Sequence, residues 1–552
     1  QTLGRPIPVS GEAGTFLPKS SGWYPSMMDA LARYQVNIEL PPGQRGLVAG
    51  RLVEETDSAQ GYQAQFEFPF PSEGIDLMAG PYHIKTHTMQ GANGQPIQLR
   101  TYFHPEIAQL ADGYLDSVKD YIAFYESWIG SYPFTEFSVV SSPTPTGFGM
   151  PTLTYLGIDV LRLPFIRATS LGHEVLHNWW GNGVYPDYRK GNWSEGLTTF
   201  MADYAYKERE GDEAAREMRL GWLRDFAALA PGQDASLSSF TSRTHGASKI
   251  VGYNKAAMLF FMLRDELGEA MFNRGIQALW TMQRFKITSW HDIQRVFELV
   301  SARDLQPFFS QWLNQAGAPL INITNAKQTK TANGFQLTVT LEQSTPTYQL
   351  AVPITIHSKE GEEQQLLNLH EAQQTFTFDL QSPSLEVTLD PDLRLFRQLA
   401  VGEAPPILRE VMVNEKTVTM LLSESGEVRD VAEMLASRLQ RRHLTFIPAA
   451  TKLPIAPILV IGLQQEVDAW LEAHNLPPRP GVVANKGSAQ AWTLNTPSGA
   501  TLAIVSANDA DSLQAMIRPL PHYGRQSYIV FDDARAIDRG AWPMRVQSIG
   551  IE

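Results

Sequence analysis

The chain has 552 residues, 43% of them hydrophobic and 19% charged, and a formal net charge of −13 from 58 acidic and 45 basic side chains. That balance fits a soluble globular protein with room for three or four domains, and with no basic stripe it disfavours nucleic-acid binding. Cysteine is absent, which excludes disulfides and thiolate chemistry and leaves nitrogen and oxygen as the only ligands for a metal.

The numbering starts at Gln1 rather than Met. This points to a processed precursor or a trimmed chain, so a signal or anchor outside it stays open. A periplasmic or secreted location is compatible with this and is not decided by it. The longest apolar stretches, such as Leu453 to Leu463, are too short to span a bilayer. Residues 1–88 are rich in Gly and Pro, and alternating runs such as Tyr62 to Phe68 and Tyr82 to Thr86 read as strands. Gly91 to Pro96 is a turn or boundary. Ala111 to Ile129 repeats apolar residues at helical spacing (Tyr114, Val118, Tyr121, Ile122, Tyr125), and Phe137 to Val140 reads as a strand.

Next comes His173-Glu174-Val175-Leu176-His177. Helical residues four apart share a face, so the two imidazoles can meet one metal ion. Glu174 projects beside them, placed to take a proton from a water that the metal activates. This H-E-x-x-H pattern is that of zinc peptidases, although a pattern this short also occurs by chance on solvated helices. Its surroundings favour a metal. Leu171, Val175 and Leu176 are apolar, as a packed helix requires, and Gly181-Asn182-Gly183 ends the helix after Trp179 and Trp180. Glu195 opens a second helical pattern that runs to Glu208 and supplies an oxygen ligand. Two His and one Glu leave zinc an open fourth position, as catalytic sites do. One zinc ion on His173, His177 and Glu195 is therefore expected.

Helical patterns follow over Lys255 to Leu267, Ala270 to Gln283 and His291 to Leu299. From 319 the period changes to two. Asn333-Gly334 is a turn signal ahead of Phe335 to Leu341, and Gln349 to His357, Leu366 to Leu369, Thr375 to Leu380 and Leu385 to Leu389 continue a small β-sandwich over 319–402. Pro405-Pro406 marks a linker. Over 407–552, short strands (Val418 to Leu422, Ile458 to Ile461, Leu502 to Val505, Ser527 to Phe531) alternate with helices (Val428 to Gln440, Gln465 to His474, Asp509 to Ile517). That alternation argues an α/β domain with a largely parallel sheet. It holds no phosphate-binding pattern. Docking of a protein partner and a purely structural role are both open for it.

Four stretches resemble the gluzincin aminopeptidase family, which includes aminopeptidase N and leukotriene hydrolase. His173 to Asn182 is similar to its H-E-x-x-H-x-W-x-G-N, Glu195-Gly196 to its N-E-G, and Tyr253-Asn254-Lys255-Ala256-Ala257 to its Y-x-K-G/A. Tyr132-Pro133-Phe134, leading into Gly149-Met150, stands where the family has Y-P-F and G-x-M-E-N. The likeness covers roughly residues 1–400. It implies a multidomain α+β protein: a shortened N-terminal β domain at 1–88, a thermolysin-like catalytic domain at 89–318, then the β-sandwich and the α/β domain. It also implies a peptide substrate, Tyr253 as oxyanion donor, and a substrate contact at Gly149 and Met150. His245 is an alternative donor. Asp203 is either a hydrogen-bond partner of a liganding His or a solvated helix position.

Two departures stand out. Only 17 residues separate His177 from Glu195, one fewer than is usual in the family. After Met150 the chain reads Pro151-Thr152, where the family has Glu-Asn. That Glu binds the free amine of the substrate. The expected function is zinc-dependent peptide hydrolysis of the aminopeptidase kind, with Glu174 as general base. A zinc endopeptidase or narrow-specificity peptidase is the alternative that the missing Glu favours. A protein that keeps zinc only as a binding scaffold is the third reading.

Overall fold

Alternating apolar residues in the first hundred positions give strands, as expected. The computed structural model describes residues 7–25, 31–229, 232–242, 246–400, 402–424, 426–440 and 444–551. Two compact units make up the chain: residues 1–215 with 236–315, and residues 216–235 with 316–552. The architecture is multidomain α+β. Among the described residues no helix is long and apolar enough to cross a membrane.

In the first unit, β1 (Thr15–Leu17), β2 (Ala32–Leu40), β3 (Arg45–Val48), β4 (Arg51–Ser58), β5 (Gly61–Ser72) and β6 (Leu77–Gly80) form two antiparallel sheets, ordered β1-β6-β3 and β2-β5-β4. Phe16, Ile38, Leu47, Tyr62, Phe66 and Met78 close their shared core. A five-stranded sheet follows. It contains β7 (His83–Gln90), β8 (Pro96–Phe103), β9 (Glu136–Ser142), β10 (Gly147–Met150) and β11 (Leu153–Gly157), in the order β10-β11-β9-β8-β7. The turn expected near 91–96 joins β7 to β8, and position 88 falls within β7. β8, β9 and β11 run parallel, whereas β10 folds back on β11 and forms an edge. Helix α1 (Ala111–Trp128) buries Tyr114, Val118, Ile122 and Tyr125 of the expected stripe together with Leu115, while Tyr121 is half-buried.

The helical part of this unit begins with α2 (Ile158–Leu161) and α3 (Ser170–Leu176). The helix expected over 195–208 runs from 194 to 210 as α4 (Ser194–Thr199), a π turn (Phe200–Tyr204) and α5 (Ala205–Glu210). Helix α6 (Asp212–Ala227) carries the chain into the second unit. The return runs through α7 (Gly246–Lys249), a second π turn (Ile250–Lys255) and α8 (Ala256–Leu267). Helices Glu269–Gln283, Trp290–Ser301 and Gln306–Asn314 complete the unit.

In the second unit, strands Ile321–Thr331, Gly334–Gln343 and Gln373–Leu380 form one sheet. A second sheet contains Leu350–Ser358, Glu362–Leu369, Ser384–Leu389 and, from the far end of the sequence, Ser548–Gly550. The α/β region carries a seven-stranded sheet. It is mixed rather than largely parallel: three of its strand pairs are parallel and three antiparallel. The difference comes from Ala489–Asn495, a strand that pairs antiparallel with both Thr501–Ala507 and Tyr528–Asp532. Residues 216–227 of α6 are tied in by charge. Asp225, fully buried, faces Arg409 at 3.2 Å and accepts a hydrogen bond of 2.8 Å from Arg525.

Candidate metal centre

Helix α3 places His173 and Glu174, and His177 caps its C-terminal end. Leu171, Val175 and Leu176 are fully buried and hold the helix in the core. Helix α1 packs close behind it: the Tyr125 hydroxyl donates to the Gly172 carbonyl at 3.0 Å. A Cβ at Gly172 would run into Tyr121 and Tyr206, so this approach needs glycine.

The chain turns back after His177 through Gly181, whose φ of 119° suits glycine. The turn presents the Trp180 carbonyl to His177 Nδ1 at 2.9 Å. A carbonyl only accepts, so Nδ1 carries the proton and Nε2 offers its lone pair. His173 is set the same way, with Nδ1 donating to Asp203 Oδ2 at 2.7 Å. Both Nε2 atoms face Glu195 Oε2, His173 at 3.6 Å and His177 at 3.4 Å. One ligand atom from each of the three residues lies within 4.8 Å of the others.

Glu195 is in the first turn of α4. Asn192 Oδ1 starts that helix by accepting from the Ser194 backbone N–H at 3.0 Å. Gly196 then lets α4 lie against Ala256, where a Cβ would clash. The π turn brings Asp203 to His173. Eight regular helical residues turn through about 800°, which would leave Asp203 about 80° from the Glu195 face. One extra residue taken up in a π turn removes about 100° and returns it to within about 20°.

The electrostatics favour a cation. Burial works to raise the Glu195 pKa, but the imidazoles of His177 and His173 hold it well below the usual carboxylate range. Burial would lower both histidines, yet carboxylates raise them instead, Asp203 at His173 and Glu195 at His177. Burial also raises Glu174. Two neutral imidazole nitrogens and one carboxylate oxygen, with both outer ring nitrogens occupied, are the donors zinc takes in catalytic sites. The residues present fit that ion.

Gly149, on the β10 edge, abuts Glu174: a Cβ there would overlap Glu174 Oε2 and lie 3.7 Å from His177 Cδ2. Met150 is buried in the hydrophobic core with Leu153 and Tyr155. Tyr253 sits in the second π turn, its ring 6.2 Å from that of Phe240. α4 packs against this turn. Lys255 is buried and donates to the Gln315 carbonyl at 3.1 Å. His245 lies outside the described residues. Two partners had no sequence expectation, the Trp180 carbonyl and Asn178. Asn178 is fully buried, and its Oδ1 accepts from the Thr152 N–H at 2.9 Å.

Residues 167–312 match the family described as "Peptidase family M1 domain". The chain is similar to aminopeptidase N of Escherichia coli (strain K12), 24% identical over 358 residues, covering 57% of this chain and 40% of that protein. It is similar to aminopeptidase N of Haemophilus influenzae at 24% identity, covering 79% of this chain and 53% of that protein. To glutamyl aminopeptidase of Homo sapiens it is 25% identical, covering 54% and 33%. In fold it is similar to aminopeptidase A of Legionella pneumophila, solved in complex with aspartic acid. That match has a TM-score of 0.60 and 17% identity, and covers 71% of this chain and 48% of the other. The chain spans about half or less of the length of these relatives. Residues 167–312 thus carry a peptidase family M1 domain, and the chain is similar over a longer stretch to aminopeptidases N and to the fold of an aminopeptidase A.

Proposed function

We propose that the protein is a zinc-dependent metallopeptidase of the aminopeptidase kind. The observation that carries this reading is the convergence of two imidazole Nε2 atoms and the Glu195 carboxylate, with Glu174 beside them and outside the ligand set. When bound, zinc acidifies a water and polarises the scissile carbonyl. Glu174 takes the proton from the attacking water and passes it to the leaving amine. Tyr253 donates its O–H to the oxyanion of the tetrahedral intermediate. Asp203 and the Trp180 carbonyl keep the two imidazoles turned toward the ion.

A second reading, cleavage of internal or amine-blocked peptides, is favoured by Pro151, which offers no carboxylate to a substrate ammonium. One experiment separates the two. A peptide and its N-acetylated twin are incubated with the zinc-loaded protein, with its E174Q variant and with a chelator-treated control, and products are weighed by mass spectrometry. Stepwise shortening of the free-amine peptide alone supports the aminopeptidase. Internal cleavage of both supports the endopeptidase. Turnover by E174Q removes Glu174 as base, and no cleavage of either peptide favours a scaffold that only holds zinc.

A further inference from the structure

The β10–β11 hairpin turns through Pro151 and Thr152, with Met150 paired to Leu153. Proline fixes its own φ near −65°, and the residue after it sits at φ 64°. Glycine or asparagine fills such a position at least cost, whereas a β-branched residue there is a true outlier. Strain of this kind persists only where the surroundings over-determine it, and here they do. The Thr152 N–H donates to Asn178 Oδ1 at 2.9 Å, its carbonyl accepts from the Ser138 N–H at 2.8 Å, and its Oγ1 accepts from the Gly50 N–H at 2.8 Å. Thr152 is 4% exposed.

These bonds join three parts of the first unit. Gly50 lies between β3 and β4, and Ser138 is on β9. Asn178 follows ligand His177 and is tied to α3 by its own bond to the Val175 carbonyl, 3.0 Å. On the other side of the turn, Gly149 abuts the Glu174 carboxylate. Among the described residues β10 is an edge strand with a neighbour on one side only, so its height over Glu174 depends on the hairpin end. We propose that Thr152 is a positioning residue whose hydroxyl latch, through the left-handed turn, holds β10 against Glu174 and sets that carboxylate's orientation. The functional half of this rests on the reading of Glu174 as base.

Thr152→Val removes the acceptor and keeps the shape, Thr152→Ser keeps the acceptor, and Thr152→Asn suits the left-handed turn and restores an acceptor. Two readouts are taken on the full-length, zinc-loaded protein. The first is kcat and KM on an internally quenched fluorogenic peptide. The second is hydrogen–deuterium exchange over residues 147–153 and 174–178. T152V is expected to lose roughly ten-fold in kcat with KM within two-fold, and to exchange faster in both segments at unchanged zinc content. T152S stays at wild-type values and T152N recovers most of the loss. Wild-type exchange in T152V, or a loss that T152N and T152S share, overturns the proposal. If T152V does not fold, Thr152→Ala removes the same acceptor. Exchange needs no turnover, so it judges the latch even if E174Q shows Glu174 to be idle.

Discussion

Gly149→Ala separates the placement of Glu174, the proposed base, from the binding of a metal. Gly149 is not in the left-handed region, so its backbone accepts alanine. The new Cβ overlaps Glu174 Oε2 but lies 3.6 Å from Glu174 Cδ and 3.7 Å from His177 Cδ2, both ordinary contacts. The imidazole can therefore stay where it is, and the carboxylate oxygen must turn away by about 1 Å. A displacement of that size at a reacting group costs on the order of 100-fold in rate. Gly149 is exposed on an edge strand, so the fold itself should lose no more than about 0.5 kcal/mol. Steady-state kinetics on a quenched fluorogenic peptide, zinc content by mass spectrometry and a thermal melt together test this. The expected result is kcat down about 100-fold, with KM, zinc and melting temperature near wild type. A kcat within three-fold of wild type would refute the argument that the β10 backbone fixes Glu174. Loss of zinc in parallel with activity would do the same, by moving the damage to the ligands.

Asp203→Asn replaces the anionic acceptor of His173 with an amide, and zinc affinity should fall about 10- to 100-fold in chelator competition. Unchanged affinity would make Asp203 a bystander. Tyr253→Phe should cost about ten- to a thousand-fold in kcat with little change in KM, and an unchanged kcat would assign the oxyanion to another group. Burial raises Glu136 from its ordinary 4.5 to about 7, against the pull of Arg100 at 2.8 Å and the Leu52 N–H at 2.9 Å. The folded state thus holds this proton more tightly than the unfolded chain, so stability is lost as pH rises from about 4.5 to about 7. The loss is at most about 3.5 kcal/mol. Melting curves of wild type and Glu136→Gln across that range should diverge, with wild type weakening relative to the variant as pH rises. Parallel curves would contradict it.

The candidate metal ligands are legible because their chemistry is local. Helical spacing alone puts His173 and His177 on one face, and Glu195 comes at the start of the next helix. Asp203 was only one of two equal readings, since regular helical counting turns it off the face and the π turn that returns it leaves no mark in composition. The residue types could not reveal that Met150 packs into the core, or that Thr152 and Asn178 hold the hairpin, because those facts arise from contacts between distant segments. Helix α6 escaped for another reason. Arg219, Arg224 and Asp225 are buried on it, so charges stand where an apolar stripe was sought. In the α/β region the strand Ala489–Asn495 was missed, and with it the mixed character of the sheet.

The strand Ser548–Gly550 pairs with Ser384–Leu389. Everything between these two neighbours, the whole α/β region included, is topologically one long excursion from a single sheet. Both ends of that excursion leave from adjacent strands, so a short connector could stand in its place. Closing so long a loop rather than a turn of a few residues costs only roughly 3 kcal/mol of chain entropy. An ancestral sandwich could therefore have acquired this region by insertion without rebuilding its own sheets. Besides these two ends, the excursion is held by Asp225 of α6, which meets Arg409 and Arg525 inside it.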